Sequence, residues 1–311
     1  MNMSVATAPA KTVITPGKAD LHNPAYLKIR DLVYQTAGIY QSEDKLYLLA
    51  SRVARRMNAV QAATPAQYLD HLTKRPDRDA ELRLLLNEIT IGETYMFRSP
   101  HHLEALASVI LPQMVRNKKA FGMKRLHIWS AGCSTGEEPY TLAMFLKEES
   151  NGLLNGWNFD IVATDLNDNS LSAAKAGIYG EYALRSTNLE LRKKYFRPHE
   201  EKNLQATDEL KAVISFDRVN LNDDTRMALL KGMDLIFCCN VLIYFDMASK
   251  RKVVQHFLTN LVPGGYLFLG HAESLYQVDD RFRLVHFPGA IAYWKVPDGY
   301  VEKEATNGIR V

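Results

Sequence analysis

The sequence predicts an α/β protein in which an all-helical N-terminal domain precedes a doubly wound sheet with a small insertion. Two observations predict this class. Between residues 24 and 89, apolar residues recur at the i, i+3 and i+7 positions of amphipathic helices. From residue 125 onward, short apolar stretches typical of buried strands alternate with helical stretches, and a final pair of adjacent strands closes the series.

The helical domain is predicted over residues 21–93. Its periodic apolar positions form three groups: Tyr26, Ile29, Val33; Leu46, Leu49, Val53; and Leu82, Leu85, Leu86, Ile89. The residues before it are small, contain Thr and Pro, and lack the continuous apolar run of a signal peptide. We therefore expect a disordered tail over residues 1–20.

Three arginines of the second helix share one face. Arg52, Arg55 and Arg56 stand at i, i+3 and i+4, and no acidic residue lies four positions before or after any of them. This arginine face is either a solvated charged surface or a positive patch suited to an acidic helical partner. The sequence alone leaves both interpretations open.

A linker is predicted over residues 94–124. Thr90, Thr94 and Arg98 recur every four residues, so on a helix they would share a face, but Gly92 favours a turn or a break there. Arg98 is either an exposed linker residue or a planar fork that binds a carboxylate.

A glycine turn follows the first predicted strand, residues 126–131. Gly132 and Gly136 frame the turn, and Glu137 and Glu138 open the next helix. Helix N-termini attract phosphates, but two carboxylates in the first turn would repel a pyrophosphate. The turn therefore favours a cofactor that is cationic at this end, such as S-adenosylmethionine, over a dinucleotide. The alternative is an acid-rich helix start that merely complements the helix dipole.

Asp165 ends the second predicted strand, residues 159–164. An acidic residue at this place in such a fold accepts hydrogen bonds from both ribose hydroxyls. It can equally be an N-cap for the following helix, predicted over residues 169–176 and ended by Gly177.

The remaining elements complete a sheet domain predicted over residues 125–298. A small insertion is expected at about residues 182–216, and a tail at 299–311. A buried strand from residue 234 leads to Asn240 and Tyr244, at the strand end where open α/β sheets bind ligands. Then follow a helix at about 249–261, a strand at 266–269 and a hairpin around Pro288 and Gly289.

Composition excludes several classes of function. A net charge of +3 over 311 residues is too small to indicate a nucleic-acid partner. The three cysteines, Cys133, Cys238 and Cys239, lack CxxC spacing, and no HxxxH pattern occurs, so no metal site is expected. Three thiols, two of them adjacent, suit a reducing cytoplasm. No apolar run approaches the ~20 residues of a membrane span, so no membrane insertion is expected.

Five motifs in this order carry a family resemblance: WSAGCSTGEEPY, ATDLN, IYGEY, NVLIYFD and GHAES. Together they resemble the chemotaxis receptor (CheR-type) glutamate O-methyltransferase family over about residues 24–294. The resemblance implies a Rossmann-like methyltransferase sheet that bears a small β-subdomain, here the insertion at about residues 182–216. It also implies S-adenosylmethionine as cofactor, with S-adenosylhomocysteine as product. It implies methyl transfer to glutamate side chains on the cytoplasmic helices of methyl-accepting chemoreceptors, which sets chemotactic adaptation.

The resemblance also implies site residues. Those at the cofactor are Thr94, Arg98, Ala131, Glu137, Asp165, Asn220, Leu221 and Asn240, and those beside the reacting groups are Arg98 and Tyr244. Two positions depart from the family pattern, which often has Asn at Gly92 and Arg at Cys239, so no side-chain role is assigned to either.

The chemistry of glutamate methylation agrees with this set. A glutamate with a pKa of ~4.3 is already ionised at neutral pH, so the reaction requires no general base. Alignment of the carboxylate with the methyl group is what the enzyme supplies. Arg98 is expected to hold this carboxylate and Tyr244 to orient it.

Two rival functions remain open at this point. An amino-methyltransferase acting on nucleic acid would also place a polar residue and an aromatic after the fourth strand, as Asn240 and Tyr244 are placed. It would be expected to show a wider basic surface. A non-catalytic S-adenosylmethionine-binding regulator would keep Asp165 and Glu137 but would have no use for Arg98 and Tyr244 together.

Recruitment is the last expectation. Some members of the family bind a peptide at the receptor's C-terminal tail through the β-subdomain, by a loop that contains glycine. Here Tyr195 and Phe196 are followed by a segment without glycine until Gly232. We therefore expect no docking of a receptor tail peptide.

Overall fold

The computed structural model describes residues 23–90, 92–297 and 299–300. The expected tail at residues 1–20 and most of the one at 299–311 lie outside these ranges. The chain divides into two compact units. The first ends at Ile89, and the second comprises Ala37–Ile39 and the chain from Thr90 onward. The boundary between them therefore lies four residues before the expected one, which followed residue 93.

The first unit is helical, as the periodicity predicts. Its helices are α1 (Pro24–Ala37), α2 (Leu46–Val60, preceded by the 3₁₀ turn Glu43–Lys45), α3 (Pro65–Lys74) and α4 (Arg78–Ile89). Nine of the ten predicted periodic residues are buried, and Leu82 is partly buried. Helix α3 begins sharply because the Thr64 side chain accepts a hydrogen bond from the Gln67 N–H and Pro65 occupies the first helical position.

The second unit is built on a seven-stranded sheet. Its strands are β1 (Arg125–Ala131), β2 (Asn158–Asp165), β6 (Ile214–Arg218), β7 (Met233–Cys238), β8 (Leu261–Leu269), β9 (Phe282–Phe287) and β10 (Ala290–Lys295). They lie in the order β6-β2-β1-β7-β8-β10-β9, with the first five parallel and β10 antiparallel to both of its neighbours. The predicted doubly wound sheet with a terminal antiparallel pair is confirmed.

Helices cover both faces of this sheet. The longer ones are α7 (Glu137–Glu149), α8 (Asp168–Ala176) and α13 (Met247–Asn260), and the single-turn helix α12 (Asp224–Met227) follows β6. Two core clusters result, one containing Ile128 and Tyr140 and the other Trp129 and Phe257. Consecutive residues of β1 enter different clusters because side chains alternate between the faces of a strand, so the sheet is buried on both sides.

The interval predicted as a linker is largely helical and belongs to the second unit. It contains α5 (Pro100–Ala105), a π-helical turn (Leu106–Ile110) and α6 (Leu111–Ala120). Leu106, Ile110 and Met114 are buried in the same cluster as Ile128 of β1. The linker prediction took no account of this apolar face, which packs on the sheet.

The small β-subdomain is a separate three-stranded sheet. It contains β3 (Ile178–Tyr179), β4 (Phe196–Pro198) and β5 (Leu204–Ala206) in the antiparallel order β3-β5-β4, with α9 (Glu181–Leu184), α10 (Leu189–Tyr195) and α11 (Asp208–Lys211) around it. It therefore begins before the expected residue 182. Its expected end at residue 216 falls inside β6, which pairs in parallel with β2 and so belongs to the large sheet.

Candidate active site

The candidate site lies at the carboxyl ends of β1, β2 and β7. The strand order runs outward from β1 in one direction through β2 and β6, and in the other through β7 and β8. Ligands of open α/β sheets bind at such a reversal, in the crevice outside the strand ends. Polar residues that follow these strands are therefore the candidates for cofactor binding.

The glycine turn after β1 is held against the end of β2. The N–H groups of Gly132 and Cys133 both donate to the Thr164 carbonyl, at 2.8 and 2.9 Å. Gly132 has φ +81°, and a Cβ added there would lie 2.4 Å from a methyl group of Val241. Only glycine fits this close approach, because the backbone conformation and the space both exclude a side chain. The turn thus brings the start of α7 beside the end of β2.

Asp165 fixes the geometry of this edge. Its Oδ2 accepts a hydrogen bond from the Ser134 N–H, and its Oδ1 accepts one from the Asn167 N–H, both at 2.8 Å. Burial raises the pKa of Asp165, an effect that these backbone bonds oppose. Each carboxylate oxygen can accept a second hydrogen bond. Asp165 can therefore accept a diol, and it is Asn167, not Asp165, that caps α8.

The two carboxylates at the start of α7 are held by hydroxyl groups. Thr135 donates to Glu137, and Ser130 donates to Glu138, each at 2.7 Å. Burial raises the pKa of Glu137. Burial also raises the pKa of Glu138 to about 7, although the hydroxyl of Ser130 and the positive charge of Arg98 both lower it. The edge is acidic, as the sequence predicts, and contains no arginine or lysine paired with either carboxylate among the described residues.

Glu273 organises the loop after β7. Its buried carboxylate accepts the N–H groups of Asn240 and Gly270 at 2.7 Å and that of Ile243 at 3.2 Å. Asn240 has φ +63°, a left-handed conformation that asparagine tolerates. A Cβ at Gly270 would lie 2.7 Å from the Asn240 nitrogen, so the two strand ends approach each other closely. Glu273 belongs to the GHAES motif, but its residue type and spacing alone assign it no role.

Tyr244 stands on the same loop, in the 3₁₀ turn Leu242–Tyr244. The strand that leads to it ends at Cys238, and the Tyr244 side chain is 44% exposed. It is therefore accessible at the surface and is not part of the core.

Arg98 stands on a non-helical loop, residues 92–99. Thr90, Thr94 and Arg98 consequently do not share a helix face. The Arg98 side chain is exposed, and its Nη1 donates to the Glu93 carbonyl at 2.5 Å. Phe97, which precedes it, has φ +57°, a conformation that is strained for a bulky residue. The Phe97 N–H donates to the Thr141 hydroxyl of α7, which ties this loop to the helix of the acidic edge.

The remaining cofactor candidates lie around the same edge. Ala131 is buried at the last position of β1, and Leu221 is buried just beyond β6. The Asn220 side chain accepts the Asn222 N–H, and the Val219 N–H before it donates to the Asp165 carbonyl. Thr94 is half-buried on the loop 92–99. Their roles at the cofactor remain predictions.

Both positions that depart from the family pattern adjoin this edge. A Cβ at Gly92 would lie 1.9 Å from the Ser134 hydroxyl oxygen, so a larger residue there would require Ser134 to move. The Cys239 thiol contacts Glu138, and burial raises the pKa of this thiol well above its usual range. Cys239 is therefore a neutral neighbour of Glu138 and not a reactive thiolate.

The arginine face differs in part from the prediction, because helix α4 supplies acidic partners. Arg56 donates two hydrogen bonds to the buried carboxylate of Glu81, at 3.0 and 2.7 Å, and Tyr68 donates a third at 2.7 Å. Arg56 is thus engaged inside its own unit and is withdrawn from the predicted partner surface. Arg55 lies 3.1 Å from Glu88 in an exposed pair, which contributes little binding energy. Arg52 is half-buried.

The residues present fit S-adenosylmethionine. Asp165 matches a ribose diol, and the carboxylates of Glu137 and Glu138 complement a cation. The Ser134 hydroxyl, next to the Ser134 N–H that binds Asp165, is buried with no hydrogen-bond partner among the described residues. The described residues contain no cluster of three or more metal-ligating side chains, and no helix there is long and apolar enough to cross a bilayer.

A Rossmann-like sheet with this strand order and an acidic, cation-compatible edge defines an S-adenosylmethionine-dependent methyltransferase. Comparison with known families identifies which one: the chain belongs to the CheR methyltransferase family. The family's S-adenosylmethionine-binding domain matches residues 92–291, and its all-alpha domain matches residues 24–90.

Three relatives show the extent of the similarity. Chemotaxis protein methyltransferase 2 of Vibrio cholerae is 32% identical over 283 residues, which cover 91% of this chain and 96% of that protein. Chemotaxis protein methyltransferase of Borreliella burgdorferi is 34% identical over 78% of this chain and 86% of its own length. Chemotaxis protein methyltransferase 1 of Pseudomonas aeruginosa is 33% identical over 87% of this chain and 97% of its own length. The protein is an S-adenosylmethionine-dependent methyltransferase of chemotaxis, and neither rival function is favoured.

Proposed function

We propose that the protein transfers methyl groups to glutamate side chains on the cytoplasmic helices of chemoreceptors, in the cytoplasm, and thereby sets chemotactic adaptation. The observation that carries the proposal is an exposed arginine, Arg98, on the loop 92–99 that the Phe97 N–H ties to α7, the helix of the acidic cofactor edge. A guanidinium in this place is suited to bind an acidic side chain beside the cofactor.

Cofactor binding is assigned to the residues of the edge. Bound S-adenosylmethionine supplies a methyl group on a positively charged sulfur. Asp165 accepts the ribose hydroxyls, and Glu137 complements the positive charge. Asn240 contributes from the loop that Glu273 fixes. Thr94, Ala131, Asn220 and Leu221 complete the proposed pocket.

Substrate chemistry is assigned to Arg98 and Tyr244. The substrate carboxylate arrives ionised, so neither residue needs to remove a proton. Arg98 offers two parallel N–H groups that fix the plane of the carboxylate, and the Tyr244 hydroxyl orients one oxygen toward the methyl group. Alignment of this kind contributes up to ~7–11 kcal/mol to catalysis. Because Arg98 also stabilises the free anion, its contribution is to position the nucleophile more than to neutralise it.

The receptor surface is assigned in part to helix α2. Arg52 and Arg55 remain candidates for contact with acidic receptor helices, whereas Arg56 is bound to Glu81. An exposed pair such as Arg55 with Glu88 exchanges partners at little cost, so it does not prevent such a contact.

Tail-peptide docking is not proposed for this protein. Docking by strand addition requires an exposed strand edge long enough to pair with a peptide. The edge strands of the small sheet, β3 and β4, are two and three residues long. Calorimetric titration with the isolated tail peptide of the receptor should show no binding. Micromolar binding that maps to residues 182–216 would contradict this assignment.

The proposal is tested by methylation of receptor-containing membranes with methyl-labelled S-adenosylmethionine and peptide mapping by mass spectrometry. The expected result is methylation at receptor glutamates, with no labelling of membranes that lack receptors. Label at lysine or arginine residues, in added nucleic acid, or nowhere would reject the proposal.

A further inference from the structure

Arg185, which lies just beyond α9, holds its guanidinium between two tyrosine rings. Its Cζ atom is 3.4 Å from the centroid of the Tyr95 ring and 3.8 Å from that of the Tyr182 ring. Its Nη1 also donates to the Tyr182 carbonyl at 2.6 Å. Planar guanidinium groups stack well on aromatic faces, and here both faces of the group are covered. The stack joins the loop 92–99 to the entry of the small β-subdomain.

Two hydrogen bonds reinforce this connection. The Tyr182 hydroxyl donates to a Glu93 carboxylate oxygen at 3.1 Å, and the Met96 N–H donates to the Ala183 carbonyl at 2.9 Å. Three residues of the loop, Glu93, Tyr95 and Met96, are thus attached to the segment 181–185.

Two of the attached residues, Glu93 and Tyr95, contact Arg98. The Arg98 guanidinium donates to the Glu93 carbonyl, and its Cζ lies 6.0 Å from the centroid of the Tyr95 ring. If Glu93 and Tyr95 lost their contacts with the segment 181–185, the residues that surround Arg98 would become mobile. The strained conformation of Phe97, at φ +57°, persists only while neighbouring contacts fix the loop.

The segment 181–185 is itself fixed by the β-subdomain. Arg192 of α10 pairs with Glu181 at 2.9 Å and donates to the carbonyls of Leu184 and Thr187 at 2.6 and 2.9 Å. A continuous set of contacts therefore runs from α10 through the segment 181–185 to the loop that carries Arg98.

We propose that Arg185 is a positioning residue that holds the loop 92–99 in the conformation in which Arg98 meets the substrate carboxylate. The proposal rests on the proposed role of Arg98. Arg185 itself does not touch the reacting groups. Its effect is on the rate of methyl transfer, since the loop must adopt one geometry for the carboxylate and the methyl group to align.

The test compares Arg185→Met with Arg185→Lys and with Arg197→Met. Methionine keeps an unbranched apolar stem but removes the charged plane, and lysine restores the charge alone. Arg197 is the matched control because, among the described residues, its guanidinium donates only to carbonyls of the subdomain, those of Lys193, Lys194 and Phe196. Arg185→Met is expected to lower kcat about tenfold or more, the effect of losing cation–π contacts with two rings.

The expected pattern separates positioning from folding. In Arg185→Met the KM for receptor stays near wild type and the protein remains folded at the assay temperature, Arg185→Lys recovers part of kcat, and Arg197→Met keeps it all. Hydrogen exchange at the amides of Met96 and Phe97 should accelerate in Arg185→Met but not in Arg197→Met. The exchange measurement requires no substrate, so it holds or fails independently of the proposed function.

Two outcomes would overturn the inference. If the wild-type enzyme methylates receptors and Arg185→Met does so with the same kcat, the stack does not position Arg98. Unchanged exchange at Met96 and Phe97 in that variant would show that Arg185 does not hold the loop, whatever substrate the enzyme uses.

Discussion

Replacement of Glu138 by glutamine is expected to make the protein more stable at alkaline pH and to change its stability little at acidic pH. The glutamine amide has nearly the same shape and keeps a carbonyl to accept the Ser130 hydroxyl, but it cannot ionise. The variant therefore isolates the cost of holding a carboxylate charge in this partly buried place.

The direction follows from the pKa of the group. Burial raises the pKa of Glu138 from 4.5 to about 7 on folding. Between these values the folded state holds the proton that the unfolded state has lost, so the free energy of unfolding falls as the pH rises. At about 1.4 kcal/mol for each pH unit, the loss approaches about 3 kcal/mol above pH 7, an upper bound for a side chain that keeps some exposure.

Thermal unfolding at pH 5 and pH 8 measures this effect. The Tm of Glu138→Gln minus that of wild type should be small at pH 5, about 2–3 °C, and should reach up to about 10 °C at pH 8, since about 1 kcal/mol corresponds to 2–4 °C in a unit of this size. Glu190→Gln, which removes an exposed carboxyl of α10, is the control, and its Tm should equal that of wild type at both pH 5 and pH 8. A Tm difference that is the same at pH 5 and pH 8 would refute the argument.

Three further predictions concern the proposed site. Asp165→Ala should weaken S-adenosylmethionine binding by about 1.5–3 kcal/mol in calorimetry, because a charged hydrogen bond is lost, whereas Asp160→Ala near the other end of β2 should not; equal affinities would remove the ribose assignment. Arg98→Ala should lower turnover far more than it lowers stability, and Arg98→Lys should rescue poorly because a point charge cannot replace a planar fork; normal turnover in either variant would exclude the role. Charge reversal of Arg52 and Arg55 should raise the KM for receptor, less so at high salt, and leave cofactor affinity unchanged; insensitivity of receptor methylation would identify the face as merely solvated.

The helices, strands and turns can be predicted from the sequence because hydrophobic periodicity and turn-forming residues depend only on neighbouring positions. The strand, glycine turn and acidic helix start around Gly132 and Gly136 need only neighbouring residues to be recognised. Helix α6 was missed because its apolar residues indicate burial only when the sheet that covers them is known. The boundary of the β-subdomain was misplaced for the same reason, since β6 is identified by its pairing with β2.

The electrostatic partners in the two units were not accessible from the sequence. Arg56 meets Glu81, which is 25 residues away in the chain, and no spacing rule connects them. Glu273 likewise accepts N–H groups from Asn240 and Ile243, about 30 residues earlier. Such contacts depend on how the elements pack. Residue type and local spacing therefore cannot predict that Arg56 is bound to Glu81 or that Glu273 fixes the loop after β7.

The base lability of the transferred methyl group tests the central claim most directly. Receptor-containing membranes are labelled with radioactive S-adenosylmethionine, washed, and brought to alkaline pH, and volatile methanol is counted. A methyl ester of a glutamate side chain predicts release of the label as methanol, with wild-type enzyme and not with Arg98→Ala. Label that remains on the membranes in alkali, as a methyl group bound to nitrogen would, contradicts carboxylate methylation.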